Sequence, residues 1–194
     1  MNVYDFDGTL YDGDSTFDFI RYLMGKYPRL IARVFPIGLD FLCYKCGRFD
    51  KTTFKERMYA MFTLVPDVEG EVALFWEKNL TKIMPYYSET RKPDDLVISA
   101  SPEFIVIPAC RAIGIEKVMA SQVDPKTGKY TGINCHGAEK IRRMQERYPD
   151  AVVEDFYSDS HADDPLAKIA KRAFMVRKNR VFPWPGFKKY SVAK

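Results

Sequence analysis

The sequence predicts an α/β protein: a parallel sheet covered by helices, with a small helical subdomain inserted after the first strand. Three observations carry that expectation. Short apolar runs of strand length recur at 2–5, 96–99, 117–119, 156–158 and 173–176, each ending in small or polar residues. Helical patterns lie between most of them, and such alternation implies a parallel sheet buried on both faces. The stretch of about ninety residues between the first two runs breaks the rhythm, with several amphipathic helical patterns and no good strand candidate.

The elements follow in order. After the first strand, helices are expected at 16–25, 28–46, 52–64 and 68–80. The boundaries are set at 14–85 for the inserted helical domain, leaving 1–13 and 86–194 as the core. A helix over 104–113 is opened by Ser101-Pro102 and closed by Gly114, the punctuation that proline and glycine supply at helix ends. Asp124-Pro125-Lys126-Thr127-Gly128 is a turn signal between two short extended pieces, so 122–133 reads as a surface hairpin. Further helices are expected at 139–148 and, after Asp164-Pro165, at 166–172. The tail beyond Val176 is basic and aromatic (Arg177, Lys178, Arg180, Phe182, Trp184, Phe187, Lys188, Lys189) and reads as a solvated strap across the core, with weak membrane-surface contact as the alternative.

Composition narrows the function classes. Hydrophobic residues make up 46% of the 194 residues and charged residues 29%, ordinary for a soluble globular chain. A formal net charge of +4 is too mild to predict a nucleic-acid partner and suits small anionic substrates. The apolar stretch 30–46 is broken by Arg33, Pro36, Asp40 and Lys45, so no transmembrane segment is expected. No secretory leader is recognisable, and a cytoplasmic location is expected. Cys43 and Cys46 form a C-x-x-C pair, a possible redox or zinc half-site, but only His136 beside Cys135 offers further ligands. Buried thiols are the default expectation for all four cysteines.

The chemistry concentrates where strands end. Asp5-Phe6-Asp7-Gly8-Thr9-Leu10 closes the first strand. Residues just past the carboxyl ends of parallel strands form the ligand crevice. Asp5 and Asp7 are two apart and share a face, and Gly8 allows a sharp turn. Turn-forming aspartates beside a glycine are the structural alternative. Leu96-Val97-Ile98-Ser99 ends the second strand, and Ala100-Ser101-Pro102-Glu103 opens a helix, where free N–H groups make a phosphate cradle. Lys140 lies early in a helix, against the helix dipole. Tyr157-Ser158-Asp159-Ser160-His161-Ala162-Asp163-Asp164 is an acidic loop after a strand, suited to a hard cation such as magnesium.

Asp5-Phe6-Asp7-Gly8-Thr9 resembles the signature of the haloacid dehalogenase-like phosphatases, and Leu10-Tyr11-Asp12-Gly13-Asp14-Ser15 resembles their phosphoserine phosphatase-like branch. The other three motifs occur in the family's order. The resemblance implies a Rossmann-like core with a small helical cap over the active site. It implies Asp5 as nucleophile, Asp7 as general acid and base, and Ser99, Ala100 and Lys140 as phosphate-binding residues. It also implies Mg2+ held by Asp5, the Asp7 carbonyl and Asp159, with Asp163 acting through water. Ala162 departs from the family's usual Asn or Ser, and His161 has no assigned role.

One mechanism then fits. A carboxylate approaching a phosphate dianion meets repulsion of about 4 kcal/mol per unit-charge pair at 4 Å and an effective dielectric of 20, which magnesium and Lys140 would offset. The product of attack is an aspartyl-phosphate. Gly47-Arg48-Phe49-Asp50 and Phe54-Lys55-Glu56-Arg57 resemble the phosphoserine phosphatase cap, placing Arg57 at the substrate carboxylate and Asp14 at its amino group. Phe35, Phe41, Tyr44, Phe49, Tyr59 and Phe62 read mostly as cap core, with contact to a larger or more apolar leaving group as the alternative for some of them. The expected substrate is a small phosphorylated metabolite, phosphoserine being one candidate. A phosphatidylglycerophosphate-type lipid phosphate and a catalytically silent binding protein are the alternatives.

Overall fold

A computed structural model describes residues 1–186. Five strands are parallel: β1 (Val3–Tyr4), β2 (Leu96–Pro102), β3 (Lys117–Ser121), β4 (Asp155–Ser158) and β5 (Arg172–Arg177). A sixth, β6 (Arg180–Pro183), runs antiparallel to β5. The order is β3-β2-β1-β4-β5-β6. The chain winds outward from β1 to β3, then returns to the other side of β1 as β4. That reversal opens a crevice past the carboxyl ends of β1 and β4, the place where open α/β sheets bind ligands.

Strand residues alternate between two apolar clusters, as a period of two requires. Tyr4, Val97, Tyr157 and Val176 face one, while Val3, Leu96, Ile98, Phe156 and Met175 face the other. On the first face Tyr4 stacks on Tyr157, with centroids 4.7 Å apart, and Tyr157 stacks on Phe174. The second face is covered by Met144 of α7 (Ala138–Arg147), Leu166 and Ala167 of α8 (Asp164–Ile169), and Trp184.

Four helices between β1 and β2 appear where the periodicity put them, α1 (Ser15–Lys26), α2 (Val34–Lys45), α3 (Lys51–Tyr59) and α4 (Val68–Asn79), and a short α5 (Tyr86–Thr90) that was not expected follows them. Asp14, Asp50 and Asp67 cap three of them, each side chain accepting the N–H three residues on. Expected helix 28–46 is instead a 3-10 turn, Pro28–Arg33, followed by α2, and 52–64 likewise ends in a 3-10 turn, Ala60–Leu64. α1 and α4 share a cluster with α6 (Glu103–Ala112), and the Trp76 indole N–H donates to the Ile105 carbonyl at 2.7 Å.

Four expectations need correction. The tail is not only a strap. Lys178 and Asn179 both take positive φ, the backbone of a tight hairpin turn, and carry the chain back as β6. Trp184 then tucks beneath, its indole N–H donating to Asp164 Oδ1 at 3.0 Å. Phe187, Lys188 and Lys189 lie outside the described residues. The expected helix 166–172 ends at Ile169, because Arg172 already pairs with Asp155 in the sheet. Phe35 and Phe41 are not core: they are 75% and 43% exposed, and α2 buries no residue. Cys110 and Cys135 are buried thiols, but Cys43 is half-buried and Cys46 exposed.

The hairpin at 122–133 is present, with an antiparallel bridge between Val123 and Tyr130. It buttresses α3. Tyr130 N–H donates to Glu56 Oε1 at 3.0 Å, and Gly128 lies so close that a Cβ there would sit 2.5 Å from the Tyr59 carbonyl carbon. Among the described residues, no helix is long and apolar enough to cross a membrane.

Candidate active site

The β1–β4 pairing continues one residue beyond the strands, Asp5 N–H donating to the Tyr157 carbonyl at 2.9 Å. This fixes Asp5 at the mouth of the crevice. Its Oδ1 accepts from Phe6 N–H at 2.9 Å and lies 2.9 Å from Lys140 Nζ. The loop then turns back on itself, with the Thr9, Leu10 and Tyr11 N–H groups all donating to the Phe6 carbonyl. Gly8 takes φ +67, and a Cβ there would lie 2.2 Å from Asp159 Oδ2. Only glycine leaves room for the Asp159 carboxylate to approach from the end of β4.

Asp7 sits at the start of α1. Its Oδ1 accepts from Ser15 N–H at 2.6 Å and its Oδ2 from the Ser101 hydroxyl at 2.5 Å. Ser99 is fully buried at the bend of β2, its Oγ accepting from Ser101 N–H at 3.0 Å. Of the β2 residues, Ala100 and Ser101 line the cavity directly.

Lys140 enters from the first turn of α7, preceded by Gly137 at φ +59. Only 3% of its side chain is exposed, and its ammonium bridges Asp5 and, at 2.8 Å, Asp163 Oδ2. Burial opposes its charge, but the two carboxylates outweigh burial and hold the ammonium above the usual lysine range. Asp163 also accepts from the Ser158 hydroxyl at 2.8 Å, so its place is fixed by the end of β4.

The carboxylates outnumber their partners. Burial pushes Asp5 up to about 6 despite Lys140, with the charges of Asp163 and Asp7 adding to the rise. Burial and the Asp5 charge push Asp159 up to about 6 as well. Asp7 is raised by burial and by Asp14. Among the described residues no side chain pairs with Asp159. A divalent cation fits that surplus of negative oxygen. Among the described residues no group of three or more His, Cys, Asp and Glu side chains is placed to hold a metal ion by itself. Magnesium needs none, since it commonly keeps its waters and takes one or two carboxylates beside substrate phosphate.

Above the carboxylates stands an arc of bases that sequence reasoning missed. Lys55 of α3 donates to the Ala100 carbonyl at 2.8 Å, and burial with the Lys51 charge brings its ammonium down to about 8. Lys51 Nζ lies 3.1 Å from His136 Nε2. Burial lowers both Lys51 and His136, the neighbouring lysine charges adding to it. The signal was the i,i+4 spacing of Lys51 and Lys55, which any solvated helix face also shows.

The expected cap residues separate. Asp14 lines the cavity while capping α1, accepting from Phe17 N–H at 2.9 Å. Arg57 does not reach it. Its guanidinium pairs with Asp40 Oδ1 at 2.7 Å and lies over the Phe49 ring. The reason is helical rotation: Lys51, Phe54, Lys55 and Met58 share the cavity face of α3, and Arg57 points away from it. His161 is exposed beside Asp164, and Ala162 lines the wall. The cavity measures about 630 Å³, and Phe17, Phe41, Tyr44, Phe54 and Met58 make one apolar side of it.

A strand-end carboxylate, a buried lysine and a second acidic loop thus meet at the switch point of the sheet. The family model for haloacid dehalogenase-like hydrolases matches residues 3–168, and the chain belongs to that family. Phosphatases of this family generally use a divalent metal ion. A histidinol-phosphatase of Neisseria meningitidis is 26% identical over 91% of this chain and 89% of its own. A probable phosphatase of Mycobacterium tuberculosis is 35% identical over 97 residues, which are 45% of this chain and 33% of that protein. The matched stretch thus spans about a third of that curated relative's length. A solved protein of unknown function from Bordetella pertussis has the same fold, with a TM-score of 0.68 at 19% identity, covering 89% of this chain and 87% of its own.

Proposed function

We propose that the chain hydrolyses phosphomonoesters through an aspartyl-phosphate on Asp5. The observation that carries this reading is the placement of Asp5 at the mouth of the crevice, 2.9 Å from Lys140. A carboxylate oxygen of Asp5 attacks phosphorus as the bond to the leaving oxygen breaks, and Asp7 gives that oxygen its proton. Burial and Asp14 hold the Asp7 carboxyl above the usual carboxylate range, which favours the protonated form an acid must start in. Asp7 next takes a proton from water as that water attacks the acyl phosphate. Inorganic phosphate leaves and Asp5 is restored.

Lys140 neutralises charge on the transferring oxygens, with Ser99 and the Ala100 region shaping their cradle. Asp5, the Asp7 carbonyl and Asp159 would hold magnesium, with Asp163 beside them. The ion would supply positive charge against the approaching dianion.

The substrate is a small phosphorylated metabolite. Phosphoserine fits less well than the motifs implied, because Arg57 is turned away and engaged by Asp40. The apolar wall of Phe17, Phe41, Tyr44, Phe54 and Met58 favours a second reading, an ester with a bulkier or lipid-like leaving group. The test is hydrolysis of a generic aryl phosphate with and without magnesium by wild type and Asp5→Asn, followed by a phosphometabolite panel. Activity should need the metal and fall by more than about a thousandfold in the variant. A folded, magnesium-loaded wild type that cleaves neither aryl phosphate nor any panel member would leave the chain a binding protein on this fold.

A further inference from the structure

Helix α2 and the turn before it present a surface that neither the core nor the proposed chemistry uses. Val34, Phe35, Leu39 and Leu42 are all exposed, Phe35 at 75% and Leu42 at 59%. At 100° per residue, Val34, Phe35 and Leu42, with Gly38 between them, fall on one side of the helix, and Leu39 lies at its edge. Ile31 of the preceding turn is exposed as well. A soluble chain gains nothing by holding this much contiguous apolar surface in water, and such patches mark interaction sites.

The charges around the patch say what covers it. Residues 28–49 contain four basic side chains, Arg29, Arg33, Lys45 and Arg48, and one acid, Asp40. Asp40 is taken up by Arg57. Arg33 caps the start of α2, Lys45 ends it and Arg48 follows. The apolar face is therefore bracketed by cations at both ends. The exposed apolar side chains can sink among acyl chains while the flanking cations meet anionic headgroups. A second copy of the chain fits poorly, because a self-complementary interface would bring the same cations together.

We infer that α2 docks the protein on an anionic lipid bilayer. Phe41 and Tyr44 of the same helix line the cavity, and their rings pack against Phe54 across to α3. Docking by α2 therefore sets the cavity mouth at the level of the lipid headgroups. The docking does not depend on the proposed hydrolysis.

The test is flotation of the full chain with vesicles of phosphatidylcholine alone and of phosphatidylcholine with phosphatidylglycerol. The variants are Phe35→Asp with Leu42→Asp, and Arg33→Glu with Arg48→Glu. All four side chains lie outside the cavity lining, so aryl phosphate hydrolysis in solution and the melting temperature report intact folding. Wild type should float with the anionic vesicles, less so at high salt, and each double variant should lower the bound fraction at least about tenfold. Three results would overturn the inference: wild type staying with the aqueous fraction, variants floating like wild type, or a wild-type dimer in sedimentation that the Phe35 and Leu42 changes dissociate.

Discussion

The inserted helices fall into two pairs that treat similar side chains in opposite ways. α1 and α4 send Phe19, Leu23, Phe75 and Trp76 into a cluster shared with the sheet, all at 3% exposure or less. α2 buries none of its residues, and α3 buries only Met58 and Tyr59. All four helices carry aromatic residues, so their presence alone does not separate the pairs. Position does: α1 and α4 lie against α6, whereas α2 and α3 overhang the strand ends where the cavity must stay open. One pair holds the fold together and the other equips the cavity.

That division can be broken most visibly by truncation. Trp76→Ala removes an indole packed against Phe6, Tyr11 and Phe75 and leaves the Ile105 carbonyl without its donor. It should cost about 3–5 kcal/mol of unfolding free energy in urea, against less than about 0.5 kcal/mol for Phe35→Ala. Equal losses would mean that α2 is packed in solution.

A smaller effect sharpens the comparison within α3. Lys55→Met should lower kcat/KM for an aryl phosphate about tenfold, or about 1.4 kcal/mol, and leave the urea midpoint nearly unchanged. Arg57→Ala should stay within about twofold of wild type, since the surface ion pair with Asp40 and the stacking on Phe49 that it loses both lie away from the cavity. If Arg57→Ala proves the more damaging for phosphoserine, the helix turns in the bound state.

The smallest effect concerns charge. Asp159 is pushed up to about 6 by burial and Asp5, so the folded protein holds its proton more tightly than the unfolded chain does. The stability this gives is fully present at low pH and is lost as pH rises through about 6. Asp159→Asn in metal-free buffer should therefore melt roughly 2–4 °C above wild type near neutral pH, the gap closing by about pH 4. Magnesium should reverse the order by stabilising wild type alone. A gap independent of pH would place the effect in packing.

The comparison also explains what the sequence could reveal. β2, β3, β4 and β5 were legible because apolar runs buried on both faces have no other use. Asp5 and Asp7 stood out as acids at a strand end beside Gly8, and Asp159 through the resemblance of its acidic loop to the family motif. β6 was missed because Arg180, Phe182 and Pro183 read as tail, and its turn relies on a lysine, Lys178, at positive φ. Lys51, Lys55 and Arg57 could not be sorted by spacing, because helix rotation in the assembled fold decides which face meets the cavity. The exposure of α2 was hidden for the same reason: periodicity shows an apolar face without showing whether anything covers it.

Gly128 carries this further. It sits at the tip of a hairpin, 73 positions after Lys55, yet its missing side chain lets the hairpin press against the last turn of α3. Any replacement would shift that turn, and Lys55 with it. A loss-of-function allele mapping to this remote surface loop would be mechanical in origin, and the chemical apparatus would be intact in it but out of alignment.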